Sequence, residues 1–412
     1  MPLRVLIIPD KFKGTLAAPA AAEAIARGWR TAHPRDELDL VPMSDGGDGF
    51  GEVTSALLQA KSQRVKTVDA AHHPCVARWW WEPRTKTAII ESAAVIGLAM
   101  LPPKRFHPFQ LDTQGLGEVV RAAVGKGAKR CLVGIGGSAT NDGGFGLARA
   151  VGWQFLNRSG KSIECWTGLS GLERIRAPQR HRWFARCLVA TDVQNPLLGR
   201  RGATWVYGPQ KGLRPLDFAV AERCLGRLAL VVEQQLGHDF ACVPGAGAAG
   251  GLGFGLQAFL GAELTSGFDL FARQAGLERR LRWASLVITG EGAIDSSTLM
   301  GKGVGQIAQH CRRMKIPCIG LGGVVSVGSG AKESFAQAHA LTELTSVRQA
   351  KAEPARWLER LAQQVASSVR DAEPFCENAE SSGGGGRGSG GEIRRPKSEG
   401  RKKAETRIPK NA

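Results

Sequence analysis

Residues 4–15 read Arg4-Val5-Leu6-Ile7-Ile8-Pro9-Asp10-Lys11-Phe12-Lys13-Gly14-Thr15. The continuous apolar run from Val5 to Ile8 is typical of a strand that is covered on both faces, as in a parallel sheet. A polar loop follows, and Pro19 then occupies a position that the first turn of a helix tolerates. Apolar residues recur at helical spacing as far as Trp29. The opening unit is therefore predicted to be a strand, a loop and a helix.

The same alternation continues along the chain. Short apolar runs predict further strands at 38–43, 87–91, 130–135, 187–191, 285–289 and 316–321. Helical spacing predicts helices near 51–60 and 116–124. This pattern indicates an α/β fold with mostly parallel sheets, in which the loops that carry chemistry gather at the carboxyl ends of the strands.

Length and charge set the domain organisation. The chain has 412 residues, enough for two domains with a cleft between them. Its formal net charge is +18, of which +6 comes from the nine basic and three acidic residues that follow Glu380. Because that region is rich in glycine and poor in large apolar residues, we predict that residues 371–412 form a disordered basic tail. No apolar run is long enough for a signal peptide or a membrane span, which predicts a cytoplasmic protein without a membrane partner.

Four glycine-rich loops accompany the predicted strands and helices: Asp45–Gly49, Gly134–Gly144, Gly245–Gly251 and Gly290–Asp295. Glycine lets backbone N–H groups approach an anion closely, and the start of a following helix adds a favourable dipole. A single loop of this kind serves close packing about as often as binding, but four together favour phosphate binding. None has a Walker A sequence or the dinucleotide-binding pattern after the first strand, which argues against a nicotinamide-dependent dehydrogenase.

Carboxylates concentrate in the loops that end the strands. Phosphoryl transfer needs oxygen ligands for a hard cation, a base for the substrate hydroxyl and cations over the moving charge. The lysines that could supply these cations are Lys13, Lys211 and Lys302. Any one aspartate could equally be a helix cap or a turn residue. The candidate carboxylates are Asp10, Asp45, Asp48, Asp142, Asp192, Glu291 and Asp295.

Seven motifs, in order over residues 1 to about 370, resemble those of the bacterial glycerate kinase family of the glycerate 2-kinase type. They are Pro9–Thr15, Asp45–Gly49, Gly134–Gly144, Asp192–Leu197, Gln210–Gly212, Gly245–Gly251 and Thr289–Gly292 with Asp295 and Gly301-Lys302. The chain departs from the family pattern at Lys11, at Asp48-Gly49-Phe50 and at Ser297.

The resemblance implies transfer of the ATP γ-phosphoryl group to D-glycerate with Mg²⁺, most readily giving 2-phosphoglycerate. It also implies two α/β domains. Residues 1–65 and 285–370 would form a flavodoxin-like domain with a parallel sheet, and residues 66–284 would form a middle domain with a mixed sheet. The strands predicted at 5–8, 38–43, 286–289 and 316–321 fit the first of these sheets.

Roles can be assigned within this scheme. Asp192 is the candidate base because it ends a buried strand and begins a rigid turn; the alternative is that it only organises that turn. Asp45 and Glu291 are candidate catalytic residues and candidate Mg²⁺ ligands, and Lys13 is a catalytic cation. Further substrate or nucleotide contacts are predicted at Asp10, Gly136, Gly137, Ser138, Asn141, Asp142, Lys211, Gly245, Gly247, Gly250, Gly251, Asp295 and Lys302.

Two alternatives remain open at this stage. One is a kinase for another small hydroxy acid, since nothing in the sequence measures the length of the acceptor, and a substrate panel would separate the two. The other is a nucleic-acid-binding protein that uses its basic tail; its affinity would depend steeply on salt and would be lost without residues 381–412. Nucleic acid is not expected to be the main partner, and homo-oligomerisation is left open.

Overall fold

A computed structural model describes residues 2–179, 183–299, 303–326 and 334–369. Lys302 and the predicted tail at 371–412 lie outside these residues. The strands, numbered in chain order, are β1 (Arg4–Ile7), β2 (Glu37–Leu40), β3 (Lys61–Val68), β4 (Pro74–Glu82), β5 (Thr87–Glu91), β6 (Arg130–Gly134), β7 (Gln154–Asn157), β8 (Leu172–Arg176), β9 (Arg186–Ala190), β10 (Glu263–Thr265), β11 (Leu286–Ile294), β12 (Cys318–Val325) and β13 (Gln337–Ala340).

The α-helices alternate with these strands. They are α1 (Ala18–Ala32), α2 (Phe50–Leu58), α3 (Ala93–Ile96), α4 (Gln114–Gly125), α5 (Phe145–Ala150), α6 (Ala203–Lys211), α7 (Pro215–Leu236), α8 (Ala248–Leu260), α9 (Gly267–Ala275), α10 (Leu277–Trp283), α11 (Ser296–Leu299), α12 (Gly303–Met314), α13 (Val347–Ala352) and α14 (Pro354–Ser368). Short 3₁₀ helices cover Leu98–Met100, Pro108–Gln110, Trp166–Gly171 and Leu341–Glu343.

The first sheet is built from both ends of the chain. Its order is β2-β1-β11-β12-β13, and every neighbouring pair is parallel. Numbered by their occurrence within this sheet, the strands run 2-1-3-4-5, which is the flavodoxin-like order. The predicted fold class is therefore confirmed. In this order the chain leaves β1 and β11 toward opposite edges of the sheet, and a cleft opens beyond the carboxyl ends of that pair.

Burial on both faces explains the continuous apolar run of β1. Val5 and Ile7 point to one side, where they pack with α1 and α14. Leu6 and Ile8 point to the other side, where they pack with α9, α10 and α12. All four side chains are fully buried, so none of the positions from Val5 to Ile8 can be polar, whereas Arg4 at the exposed start of the strand can be.

The second sheet is mixed and has the order β10-β9-β6-β5-β4-β3. The strands β5, β6, β9 and β10 are parallel, whereas β3 and β4 form an antiparallel edge hairpin that extends from β5. Its helices enclose the largest apolar cluster of the structure. The carboxyl ends of β5, β6 and β9 face the same cleft as those of β1 and β11.

Most predicted strands lie within a few residues of their observed positions, because each is a short buried apolar run. The β3–β4 hairpin was not predicted as a pair, since β3 carries alternating exposed residues rather than an apolar run. The two sheets and their helices pack as one compact unit. The division into domains at 65 and 285 therefore stays a prediction. The strand β3, Lys61–Val68, crosses the predicted boundary at 65 and belongs to the second sheet.

Gly28 provides a test of how α1 packs on α14. A Cβ atom at this position would lie 2.1 Å from the carbonyl oxygen of Glu359 and 2.9 Å from the Cβ of Ala362. We expect Gly28→Ala to force the helices apart and to lower the free energy of unfolding by about 1–3 kcal/mol. Chemical denaturation monitored by circular dichroism measures the change.

Gly226, in the interior of α7, serves as the matched control. The nearest atom to a Cβ placed there is the Leu198 Cδ1, 4.0 Å away. Gly226→Ala should therefore raise stability by about 0.5–1 kcal/mol, because alanine is the better helix former. Equal effects of the two substitutions would contradict the tight crossing of α1 and α14.

Candidate active site

The cleft has a volume of about 1300 Å³ and is lined by residues that follow strands of both sheets. Asp10 follows β1, and its backbone N–H donates to the carbonyl oxygen of Gly290 in β11 at 2.8 Å. Glu291 is the next residue of β11. The switch point of the first sheet therefore brings two predicted site carboxylates to one place.

The structure gathers ten of the residues predicted from the sequence around this cleft. They are Asp10, Lys13, Asp45, Asp48, Gly136, Gly137, Ser138, Asp192, Lys211 and Glu291. These residues belong to six segments of the chain, namely the loops after β1, β2, β6 and β9, the helix α6 and the strand β11. Their meeting therefore depends on the tertiary structure and not on any one motif.

Asp10 lies in a strongly negative environment. Burial and the charges of Asp45 and Glu291 together raise the pKa of its carboxyl group to about 7, against the opposing effect of Lys11. The backbone N–H of Lys11 donates to Asp10 Oδ1 at 2.7 Å. Such a site favours a cation, because a cation would relieve the repulsion among the carboxylates.

The Asp45 loop is held by Lys11. Asp45 Oδ1 accepts a hydrogen bond from the backbone N–H of Gly47 at 3.1 Å and lies 3.8 Å from Lys11 Nζ. The same ammonium group donates to the carbonyl oxygen of Asp48 at 3.2 Å. Lys11 was noted in the sequence only as a departure from the family pattern, yet it lines the cleft beside the acids.

Glu291 is buried, and the hydroxyl of Thr298 donates to its Oε1 at 2.8 Å. Asp295 lies behind it at the start of α11, where its Oδ1 accepts from the backbone N–H of Ser297 at 2.8 Å. Asp295 is not among the residues that line the cleft. Lys302, predicted to act beside it, lies outside the described residues.

Asp192 follows β9 and faces both the cleft and the start of α9. Its Oδ1 accepts from the backbone N–H of Gly267 at 2.9 Å and from the Ser266 hydroxyl at 3.4 Å. Burial and the charge of Asp45 raise the pKa of Asp192 to about 6, although these hydrogen bonds oppose the shift. Asp192 thus caps the helix α9 and also lies beside the proposed metal ligand.

The loop after β6 supplies the glycines of the cleft. The backbone N–H of Gly136 donates to the carbonyl oxygen of Gly46 at 3.2 Å. A Cβ atom at Gly136 would lie 2.6 Å from the Cα of Gly47, so a side chain there would separate the two loops. Gly137 has a φ of +76°, which favours glycine.

Lys211 ends α6 and is buried, although it reaches the cleft. Its Nζ donates to the carbonyl oxygen of Thr140 at 2.6 Å. Burial lowers the pKa of Lys211 to about 7, and the charge of Asp142 opposes this shift. The lysine can therefore change its charge near neutral pH.

Besides Asp295, six predicted binding residues do not line the cleft: Asn141, Asp142, Gly245, Gly247, Gly250 and Gly251. The Asp142 Oδ2 accepts from Thr113 and from the backbone N–H of Gly146, which joins α4 to α5. Gly247 and Gly250 allow close backbone packing, since a Cβ atom would lie 2.2 Å from the Pro196 carbonyl oxygen or 1.9 Å from that of Thr140.

Glu91 was missed in the sequence. It is the last residue of β5, lines the cleft and accepts hydrogen bonds from the backbone N–H groups of Gly49 and Gly51 at 2.9 and 2.8 Å. The rule that selected Asp10 and Asp192, a carboxylate at the carboxyl end of a buried strand, would also have found it. Tyr207 was missed as well; it lines the cleft and donates to Asn195 Oδ1 at 2.6 Å.

Two negative findings apply to the residues that the structure describes. In that part of the chain, no three His, Cys, Asp or Glu side chains are placed to hold a metal ion by themselves. Nor does any helix there combine the length and apolar character that crossing a membrane requires.

Known proteins resemble this chain over nearly its whole length. The family model described as the glycerate kinase family matches residues 5–370. A glycerate kinase of Bacillus subtilis is 36% identical over 382 residues, which cover 89% of this chain and 98% of the relative. A glycerate 2-kinase of Escherichia coli K12 is also 36% identical, over 84% of this chain and 91% of the relative.

A solved structure agrees with these relatives. The crystal structure of a candidate glycerate kinase 2 from Salmonella typhimurium LT2 has a TM-score of 0.76 and 32% sequence identity. The match covers 90% of this chain and 98% of the Salmonella chain. These findings confirm the resemblance seen in the motifs, and the chain belongs to the glycerate kinase family.

Proposed function

We propose that this protein transfers the γ-phosphoryl group of ATP to D-glycerate and forms 2-phosphoglycerate. The observation that carries the proposal is the meeting of Asp10, Asp45, Asp192 and Glu291 with Lys211 around one cleft. Phosphoryl transfer depends on positioning and on neutralising charge, and this set of side chains can do both. The names of the relatives support glycerate as the acceptor.

Asp192 is proposed as the base that accepts the proton of the glycerate hydroxyl. The Gly267 N–H fixes the direction of its carboxylate. With a pKa of about 6, Asp192 is mostly ionised at neutral pH and yet basic enough to take a proton in the transition state. Lys13, Lys211 and the backbone of the Gly136–Ser138 loop would contact the anionic groups of the substrates.

Asp45 and Glu291 would hold Mg²⁺. The ion usually binds one or two carboxylates and takes its other ligands from phosphate and water, and both of these carboxylates line the cleft. The negative surroundings that raise the pKa of Asp10 also fit a cation. When bound, Mg²⁺ would neutralise charge on the phosphates.

The first experiment follows ADP release with ATP, Mg²⁺ and D-glycerate, and then couples the product to enolase with and without phosphoglycerate mutase. We expect a turnover of roughly 1–100 per second, with a product that enolase accepts directly. A product that requires the mutase would be 3-phosphoglycerate. No ADP release from folded protein would contradict the proposal, and a panel of other hydroxy acids would follow.

Asp192→Asn separates the two roles of this residue. We expect kcat to fall by about 100- to 10,000-fold, because the amide cannot accept the proton. The control is Ser266→Ala, which removes the other cap of α9, where the serine hydroxyl accepts from the Asp269 N–H at 3.3 Å. This control also removes the weak hydrogen bond that the serine donates to Asp192 Oδ1 at 3.4 Å, but it keeps the carboxylate that the Gly267 N–H orients. It should therefore lower stability by about 1 kcal/mol and lower kcat far less than Asp192→Asn does. Similar kcat losses in both variants would show that Asp192 only caps the helix.

The pH profile tests Asp192 and Lys211 together. Because the pKa of Asp192 is about 6, kcat/KM should rise as the pH increases through that value and the base loses its proton. Because the pKa of Lys211 is about 7, kcat/KM should fall again above that value as the ammonium charge is lost. Lys211→Gln should lower kcat/KM and remove the alkaline fall. A profile of Lys211→Gln that keeps the fall would assign it to another group.

A further inference from the structure

Glu91 accepts hydrogen bonds with both carboxylate oxygens, and both donors belong to the start of α2. Oε1 accepts from the Gly49 N–H at 2.9 Å, and Oε2 accepts from the Gly51 N–H at 2.8 Å. Gly49 is the N-cap residue of α2 and has no side chain with which to cap the helix. Glu91 therefore supplies from the second sheet the acceptor that a serine or aspartate would supply locally.

The loop that Glu91 holds comes from the first sheet and carries acids of the cleft. It runs from β2 to α2 and contains Asp45 and Asp48, both of which line the cleft. The Asp48 carboxylate lies against Gly137, where a Cβ atom would come within 2.4 Å of it. The loop thus lies between two fixed points on the second sheet, the Gly136 backbone and the Glu91 carboxylate.

Helix α2 itself rests on the same sheet. A Cβ atom at Gly51 would lie 2.0 Å from the Trp80 ring of β4, so the start of the helix cannot shift toward the sheet. Loss of the Glu91 hydrogen bonds would instead let the start of α2 and the preceding loop move away from it.

Electrostatics opposes a carboxylate at this position. Burial raises the pKa of Glu91, and the charges of Asp48 and Glu52 raise it further, while the two backbone N–H groups lower it. Repulsion from the neighbouring acids alone would favour a neutral side chain. The N–H groups of Gly49 and Gly51 therefore stabilise the ionised carboxylate of Glu91 against this repulsion.

We propose that Glu91 is a positioning residue for catalysis, which fixes Asp45 and Asp48 by capping α2 across the two sheets. The proposal rests on the function proposed above, since Asp45 acts there as a ligand of Mg²⁺. It assigns to β5 a role in aligning groups that belong to the other half of the molecule.

The chain offers a matched control in Glu82. This residue ends β4 and is paired with Thr87, the first residue of β5, whereas Glu91 is the last. Glu82 also accepts two backbone N–H groups with separate oxygens, from Arg84 and Thr85, each at 2.7 Å. It lies at the opposite end of β5, about 13 Å along the strand, and does not line the cleft.

The experiment compares Glu91→Gln with Glu82→Gln in the full-length protein. An amide keeps one acceptor and turns an N–H group toward the second donor, so both variants should lose stability. We expect kcat to fall about 10- to 100-fold in Glu91→Gln, with a much smaller change in the KM for D-glycerate. In Glu82→Gln, kcat per folded molecule should stay within about twofold of the parent.

Hydrogen exchange measured by mass spectrometry gives a readout that does not depend on the reaction. Peptides that cover residues 44–53 should exchange faster in Glu91→Gln and remain unchanged in Glu82→Gln. Glu91→Asp, which keeps the charge but has a shorter reach, should give intermediate exchange and intermediate kcat. If Glu91→Gln does not fold, Glu91→Asp is compared with Glu82→Gln instead.

Two results would overturn the proposal. One is equal loss of kcat in the Glu91 and Glu82 variants, which would make Glu91 a stability residue only. The other is faster exchange at 44–53 with unchanged kcat, which would show that the loop need not be held. If the parent protein phosphorylates a different acid, the proposed substrate fails, and the same comparison is made with that acid.

Discussion

The cleft exists because two loops meet where neither has a side chain. Gly136 donates its N–H to the Gly46 carbonyl oxygen at 3.2 Å, and a Cβ atom on Gly136 would lie 2.6 Å from the Cα of Gly47. Gly46 also lies against Ala190 at the end of β9, with a φ of +94° that favours glycine. This contact sets how closely the Asp45 loop of one sheet approaches Asp192 of the other. The placement of Asp10 beside Glu291 has a separate origin, the pairing of β1 with β11.

The fold could be predicted from the sequence because its determinants are local. A segment that is buried on both faces must be apolar at every position, so runs such as Val5–Ile8 and Leu286–Ile288 can be recognised in the sequence as buried strands. A carboxylate directly after such a run then lies at the carboxyl edge of a sheet. Asp10 and Asp192 were found in this way, and Glu91 could have been.

The use of each glycine loop could not be predicted in the same way. Gly136 and Gly250 occur in similar glycine-rich stretches, yet the first lines the cleft and the second packs against the Thr140 carbonyl oxygen. Only the tertiary contacts separate the two cases. The same holds for Lys211, whose lowered pKa depends on burial and on a carbonyl group 71 residues away in the chain. No spacing within the sequence encodes that environment.

The charge of the molecule acts differently at long and at short range. A net charge of +18 attracts anions such as ATP and glycerate toward the protein. Within the cleft, Asp10, Asp45 and Glu291 lie close enough that their charges raise the pKa of Asp10, and they would repel the same anions. A cation that is shared between these acids and the phosphates would reverse this repulsion. Under the proposed reaction, the site would therefore favour a metal-bound nucleotide over a free one, and the carboxylate repulsion that opposes folding would contribute to that selectivity.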